Sequence, residues 1–293
     1  MITLRTLHPA PNILAFYAGR IEGEKFSDEP NWVDNGAISL GTASYVIIDG
    51  NAALVYDTHV SVDIARQIRG ALEQRGITKI TVLLSHWHLD HVAGNEAFAD
   101  CEIIANARTL QHLSENKRGI EDASFHGAPA INPLVLPNRT FGGKMDFMLG
   151  KTKLKFIEAN IHSDDATLVW LEDQKILLAG DTMEDTITYV GEPENFDIHL
   201  ADLEHLWALH PEKILPNHGH PEVIAHGGYG KSLIRAQQQY IRILTRCANE
   251  PDLAEQPLRN LISGPLEAGW VNYFAPYETV HQQNLARVVG AEI

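Results

Sequence analysis

Hydrophobic residues recur along the first hundred positions with the spacing of strands and then of a helix. Apolar-rich runs at residues 43–49 and 52–58, separated by a Gly-Asn pair, predict a β-hairpin. Residues 61–75 carry apolar side chains three and four positions apart and end at a glycine, which indicates an amphipathic helix. The continuous apolar run at 80–84 has the length of a strand that is buried on both faces.

The pattern then becomes less regular. Residues 92–99 predict a helix and residues 102–105 a short strand. Between residues 110 and 143, glycine, proline and asparagine are scattered without a sustained period. We interpret this segment as an insertion or an apolar lid that uses Phe125, His126 and Phe141, with a plain surface excursion as the alternative.

Strand and helix signals return after residue 153. Strands are predicted at 154–158, 167–172, 175–179 and 213–215, and helices at 199–209, 232–249 and 277–289. Strands mixed with helices, followed by a helical tail, predict an α/β domain at residues 1–230 and a helical C-terminal extension at 231–293 that packs on it.

Composition narrows the classes of partner and compartment. The formal net charge is -15, with 38 acidic against 23 basic residues, which disfavours a nucleic-acid partner. Cys101 and Cys247 are the two cysteines, so we expect no disulfide framework and a cytoplasmic location. No apolar stretch has the length of a membrane span or a signal peptide, and we expect no contact with a membrane.

The densest chemistry follows the buried strand at 80–84, where His86, His88, Asp90 and His91 fall within six residues. Two histidines two positions apart at a strand end point to the same side, so one metal ion can bind both. Asp90 and His91 lie in the next turn and can face a second ion. A solvated polar loop is the alternative, but four such side chains are costly to bury without a metal.

This segment resembles the His-x-His-x-Asp-His signature of the metallo-β-lactamase superfamily, and the resemblance continues over roughly residues 37–225. The segments around Asp57, His162, Asp181 and His218 are similar to further family motifs, in family order. Asn217 stands where the family motif has a glycine. The resemblance implies an αββα sandwich, with residues 1–230 as the catalytic domain.

The resemblance also implies a ligand set for two divalent metal ions. His86, His88 and His162 would bind the first ion, Asp90, His91 and His218 the second, and Asp181 would bridge the two. The implied catalytic residues are Asp181, which could also relay a proton, Asp90, and Asp57, which would support the ligands from behind. Nitrogen and oxygen donors without a thiolate favour Zn²⁺, and iron and manganese are compatible.

The implied activity is that of a binuclear hydrolase of the glyoxalase II and lactonase type, in which a bridging hydroxide cleaves an ester, thioester, lactone or amide. Residues 182–195 contain four carboxylates and no lysine or arginine, so a segment bordering the site would favour a neutral small molecule. A solvated acidic surface is an equal alternative. Tyr189 in this segment is interpreted as a core residue rather than a substrate contact.

Other functions remain open from the sequence. The same sandwich could hold iron for oxygen or sulfur chemistry, although seven ligands favour hydrolysis. A nuclease or phosphodiesterase is disfavoured by the acidic balance. Trp270, Tyr273 and Phe274 form an aromatic cluster in the C-terminal extension that could cap the site, mediate a homodimer or pack as ordinary core.

Overall fold

The computed structural model describes residues 2–290, which form two facing β-sheets with helices on both outer sides. The first sheet contains β1 (Arg5–Ala10), β2 (Ile13–Ala18), β3 (Thr42–Asp49), β4 (Ala52–Tyr56), β5 (Lys79–Leu83), β6 (Glu102–Asn106) and β7 (Arg139–Phe141) in that order. The second contains β8 (Lys144–Leu149), β9 (Thr152–Glu158), β10 (Thr167–Leu171), β11 (Ile176–Gly180) and β12 (Lys213–Pro216), also in chain order.

Both sheets change from antiparallel to parallel pairing towards the site. In the first sheet, β1 to β4 are antiparallel, and β4 to β7 are parallel. In the second sheet, β8 to β11 are antiparallel, and β12 pairs in parallel with β11. The carboxyl ends of β4, β5, β11 and β12 therefore carry the loops from which a common site can be built.

Ten α-helical segments are described over residues 2–290, apart from shorter 3₁₀ and π turns. They are α1 (Val62–Gln74), α2 (Leu89–Val92), α3 (Ala107–Glu121), α4 (Phe196–Ala208), α5 (Pro221–Ala225), α6 (Ser232–Cys247), α7 (Pro251–Ala254), α8 (Leu258–Leu261), α9 (Ser263–Glu267) and α10 (Tyr277–Val289). The first begins as its sequence suggests, because the Ser61 hydroxyl accepts a hydrogen bond from the Ile64 amide at 3.3 Å.

Three apolar clusters hold these layers together. One lies between the sheets and includes Tyr45, Leu54 and Phe156. The second joins the first sheet to α1 and α3, and the third joins the second sheet to α4, α6 and α10. Within β4, Leu54 faces the first of these clusters and Val55 the second, so this strand is buried on both faces. The αββα sandwich expected from the sequence is confirmed.

Several elements differ from the expectation. The strands β1 and β2 were not predicted, although β2 is buried throughout. The segment expected to lack pattern contains α3, whose buried positions Thr109, Leu113 and Ile120 share one face, and β8 was also missed. The helix expected at 92–99 is instead the single turn α2 and a separate 3₁₀ turn, Asn95–Phe98, with Gly94 between them.

The helices after residue 230 share one apolar cluster with the second sheet. Leu233, Tyr240 and Tyr277 pack in the same cluster as Leu177 and Ile214. Cys101 and Cys247 are both free thiols. Over residues 2–290, no helix combines the length and the apolar character that crossing a membrane requires.

Candidate metal centre

The six-residue histidine segment connects β5 to α2 at the edge of the first sheet. His86 and His88 lie in the extended chain after the strand, and His88 directly precedes α2. Asp90 and His91 lie on α2 and therefore project from a different part of the backbone. His91 and His86 are buried, while Asp90 keeps 17 % of its side-chain surface exposed to the cavity above.

A first ligand group consists of His86, His88 and His162. One nitrogen of each ring lies within 4.8 Å of the others, and His162 Nε2 lies 3.0 Å from His88 Nδ1. His162 reaches the site from the loop after β9 with a φ of +71°, a conformation that costs about 1–3 kcal/mol for a residue with a side chain. The surrounding structure holds this strained residue in place to complete the group.

A second ligand group consists of Asp90, His91 and His218. Asp90 Oδ2 lies 3.4 Å from His91 Nε2 and 3.2 Å from His218 Nε2. His218 follows β12 on the second sheet, so this group joins the two sheets.

Asp181 lies between the two groups at the end of β11. Its Oδ2 atom is 3.0 Å from His91 Nε2, 3.3 Å from His218 Nε2, 3.6 Å from His86 Nε2 and 3.7 Å from His162 Nε2. The preceding Gly180 has a φ of +56°, and a Cβ there would lie 2.9 Å from the Tyr56 hydroxyl. A glycine is therefore required for the chain to turn and place this carboxylate.

The histidine rings are oriented by contacts on their outer sides. His86 Nδ1 lies 2.9 Å from Ser85 Oγ, His162 Nδ1 lies 3.1 Å from the Tyr189 carbonyl, and His218 Nδ1 lies 2.7 Å from the Gly41 carbonyl. An Nδ1–H donated to a carbonyl leaves Nε2 deprotonated and directed inward, which is how metal-ligating histidines are usually held.

Asp57 orients His91 from behind. Its Oδ1 accepts a hydrogen bond from the Ser85 amide at 2.6 Å, and its Oδ2 lies 2.9 Å from His91 Nδ1. Asn217 Nδ2 donates to the same Oδ2 at 2.5 Å. Asp57 is fully buried and is not among the residues that line the cavity, so its position is that of a supporting residue.

Asn217 was noted in the sequence as a departure from the family glycine, without a role. In the structure its side-chain amide donates a hydrogen bond to the buried Asp57 carboxylate. A buried asparagine one position before a histidine ligand is the signal that could have indicated this contact.

The buried charges of the cluster interact strongly. Burial alone would lower the pKa of His91, but Asp181, Asp90 and Asp57 outweigh burial and raise that pKa well above its usual value. Burial and the neighbouring imidazoles hold the pKa of His86 well below its usual value. Burial also lowers the pKa of His88 to about 3. Neutral imidazole is the form that binds metal.

The donor set fits divalent ions. Two atoms of the ligand side chains, His86 Nε2 and Asp181 Oδ1, are buried and have no hydrogen-bond partner within residues 2–290. Orphaned polar atoms at the centre of a cluster of five imidazoles and two carboxylates are expected where an ion supplies the missing partner. The structure therefore brings all seven predicted ligands together in the two expected groups, and their metal binding stays a prediction.

A cavity of about 560 Å³ opens onto the cluster. Trp87 and Phe125, with their ring centroids 5.4 Å apart, line this cavity, and Tyr189 lines it as well. Tyr189, interpreted from the sequence as a core residue, packs against the core cluster of the second sheet and also lines the cavity. Phe125 and His126 line the cavity as a lid would, whereas Phe141 packs on Phe156 between the sheets.

The C-terminal helix α10 contributes Val280, Gln283 and Arg287 to the cavity wall. This helix therefore both borders the cavity and packs in the core cluster of the second sheet, and a homodimer stays an alternative for the extension. Of the aromatic cluster, Phe274 lies beneath the Arg20 guanidinium, 4.1 Å from the ring centroid, and away from this cavity.

Glu184 is a site residue that the sequence analysis did not single out. This buried carboxylate lines the cavity, and its Oε1 lies 3.8 Å from His162 Nδ1. It accepts hydrogen bonds from the Tyr189 amide at 3.1 Å and the Tyr277 hydroxyl at 2.9 Å. Burial raises its pKa to about 7. Because Tyr277 comes from the distant α10, local sequence could not have indicated this contact.

Part of this sequence is similar to curated proteins. The chain is 30% identical over 119 residues to hydroxyacylglutathione hydrolases of Brucella ovis and Brucella abortus. That match covers 41% of the chain and 39% of each relative, so the chain spans about two fifths of the length of these curated relatives.

Solved structures share the fold at low sequence identity. A metallo-β-lactamase from Hirschia baltica has a TM-score of 0.59 at 16% identity and covers 81% of this chain and 97% of its own. A metallo-β-lactamase from Pontibacter korlensis has a TM-score of 0.58 at 16% identity and covers 80% of this chain and 100% of its own. The family model of the metallo-β-lactamase superfamily matches residues 39–220, which include every predicted ligand. The chain belongs to the metallo-β-lactamase superfamily.

Proposed function

We propose that this protein is a hydrolase with two divalent metal ions, zinc being favoured, that cleaves an ester, thioester, lactone or amide bond in a small uncharged molecule. One observation carries the proposal. A single carboxylate oxygen, Asp181 Oδ2, lies within 3.7 Å of four imidazole nitrogens that belong to two separate ligand groups. That is the position from which one carboxylate can bridge two ions.

The first ion would be held by His86, His88 and His162, and the second by Asp90, His91 and His218. Two divalent ions held there would supply activation of a water molecule and polarisation of the carbonyl group of a substrate. Other side chains of the protein position the ligands and enclose the cluster. Asp57 fixes the His91 ring, and the aromatic walls and α10 limit the access of solvent to the cluster.

The cavity wall supports an uncharged substrate. Two carboxylates of the acidic segment at residues 182–195, Glu184 and Glu192, line the cavity. This segment therefore borders the site, which is one of the two alternatives given by the sequence. Glu194 is exposed and Asp185 hydrogen-bonds to Tyr229, away from the cavity. Glu192 in the wall repels an anionic group such as a phosphodiester, and the Arg287 guanidinium, 5.1 Å from the Tyr189 ring centroid in the same wall, offsets part of that repulsion. The hydroxyacylglutathione hydrolase relatives support a thioester as one of the proposed scissile bonds.

The test is a substrate panel for the zinc-loaded protein that contains lactones, thioesters, aryl esters, β-lactams and phosphodiesters. We expect turnover of at least one of the first three classes. His88→Ala should reduce kcat/KM at least about a hundredfold, because it removes a ligand of the first ion. His205→Ala changes a histidine whose side chain is 81% exposed and should leave turnover unchanged.

Two outcomes would overturn the proposal. Turnover confined to phosphodiesters would indicate a phosphodiesterase or nuclease. Stoichiometric iron together with oxygen consumption, and no hydrolysis of any panel member, would indicate the redox alternative.

A further inference from the structure

A second cavity of about 420 Å³ lies outside the metal centre, between the first two strands and the segment that follows His218. Its wall includes Arg5 of β1, Arg20 after β2, and His220 and Glu222 near the start of α5. Leu7 and Phe274 add an apolar portion. The proposed reaction uses none of these side chains.

Two arginines without acidic partners line this cavity. Neither Arg5 nor Arg20 has a carboxylate within 4 Å anywhere in residues 2–290, in a chain with 38 acidic and 23 basic residues. Arg20 Nε donates to the Leu40 carbonyl at 2.6 Å, and its Nη2 donates to the Asp185 carbonyl at 2.8 Å. Carbonyl partners position a guanidinium but leave its full charge uncompensated.

The arginine side chains are also held by packing. The Arg20 guanidinium lies 4.1 Å from the Phe274 ring centroid, and that of Arg5 lies 4.9 Å from the Tyr17 ring centroid. Arg5 donates to the Gly19 carbonyl, and its buried Nε has no hydrogen-bond partner in the described chain. Pre-organised guanidinium groups with unused N–H donors are suited to a planar carboxylate or a phosphate group.

From this geometry we infer that the second cavity binds a small organic anion whose carboxylate or phosphate group contacts Arg5 and Arg20 and whose apolar part packs on Phe274 and Leu7. The exposed Glu222 carboxylate opposes a bound anion weakly, because solvent screens it. The N–H of His220 adds a further donor, since its Nδ1 accepts from the Glu222 amide at 3.3 Å and the neutral ring then carries its proton on Nε2.

The second cavity is connected to the metal centre through the backbone. The Asp185 amide donates to the His218 carbonyl at 3.2 Å, while the Asp185 carbonyl accepts from Arg20. The Gly41 carbonyl, next to the Leu40 carbonyl that Arg20 also contacts, lies 2.7 Å from His218 Nδ1. An anion that draws Arg20 towards the cavity would therefore act on both segments that hold His218.

The test is calorimetric titration of the zinc-loaded protein with benzoate, and with benzyl alcohol as the uncharged counterpart. We expect saturable binding of benzoate and none of benzyl alcohol. Arg5→Gln should weaken benzoate binding by at least about tenfold, because it removes a charged hydrogen bond. The matched control is Arg118→Gln, since that side chain is 98% exposed on α3 and the net charge changes equally.

A second variant keeps the inference testable if the Arg5→Gln protein does not fold. Glu222→Gln removes an exposed carboxylate and should tighten benzoate binding about two- to threefold. Equal affinity of Arg5→Gln and Arg118→Gln would overturn the inference, because benzoate would then bind elsewhere, for example at zinc. Absence of saturable binding to the unmodified protein, or no tightening by Glu222→Gln, would overturn it as well. Because the readout is binding, these outcomes are independent of whether any substrate is hydrolysed.

Discussion

Replacing Asp57 with asparagine tests how the structure orients a metal ligand from behind. The carboxylate accepts three hydrogen bonds, from the Ser85 amide, from His91 Nδ1 and from Asn217 Nδ2. An asparagine of the same shape has one oxygen and one NH₂ group. At least one of the three donors would then face another donor inside a buried site.

The magnitude follows from that lost contact. A hydrogen bond to a charged group contributes about 1.5–3 kcal/mol, and removing one partner leaves the other unsatisfied. Loss of a contact that orients a metal ligand weakens metal binding by about 10- to 100-fold. At about 1.4 kcal/mol for each factor of ten, that range corresponds to about 1.4–2.8 kcal/mol. The two ranges agree, so we expect Asp57→Asn to weaken binding of the zinc ion held by Asp90, His91 and His218 by about 10- to 100-fold.

The assay is a chelator competition titration that resolves the two zinc ions of the folded protein. Asp63→Asn is the matched control, because that carboxylate is 89% exposed on α1 and has no contact with the site. We expect the control to bind zinc as the unmodified protein does. If Asp57→Asn bound both ions with unchanged affinity, the reasoning that Asp57 acts through His91 would be refuted.

Three further predictions concern α10, the cavity charge and the ions. Tyr277→Phe removes one of the hydrogen-bond donors to buried Glu184 and should lower the free energy of unfolding by about 1–3 kcal/mol in denaturant titration. Tyr273 is more exposed, and Tyr273→Phe should change that free energy by less than about 1 kcal/mol. Glu192→Gln should raise the ratio of kcat/KM for an anionic ester to kcat/KM for its neutral analogue about threefold, which is the factor for two charges about 7 Å apart in water. Glu194→Gln, at an exposed position, should leave that ratio unchanged. Chelation should lower the melting temperature by about 8–16 °C, since metal at a thousand times its Kd stabilises by about 4 kcal/mol; an unchanged melting temperature would contradict bound metal.

The sequence was sufficient for the fold class because its strongest patterns correspond to the layers. The run at residues 80–84 became β5, whose last residues Val82 and Leu83 are buried on opposite faces of the sheet, and the last helix has the predicted bounds, Tyr277–Val289. The amphipathic α3 was missed because its buried positions are few and include Thr109, so composition obscured its period. The strand β2 was not predicted because it is buried at every position and therefore lacks the alternation of apolar and polar residues that marks a half-exposed strand.

In the site, residues close together in the sequence could be predicted, and residues that meet only in the folded chain could not. The ligands that fall within one short motif, from His86 to His91, can be predicted from their spacing in the sequence. His162, Asp181 and His218 were found through family resemblance, and only the fold shows that they meet. Glu184 depends on a contact with Tyr277, 93 residues away, and no periodicity encodes such a contact. Supporting residues are therefore the part of a site that sequence reveals least.

The most direct test of the central claim is an anomalous diffraction map of zinc-loaded crystals measured at the zinc absorption edge. The account predicts two peaks in each chain, one among His86, His88 and His162, the other among Asp90, His91 and His218, with Asp181 in contact with both. A map without peaks at these side chains, or with a single peak that leaves one group empty, would contradict the binuclear centre.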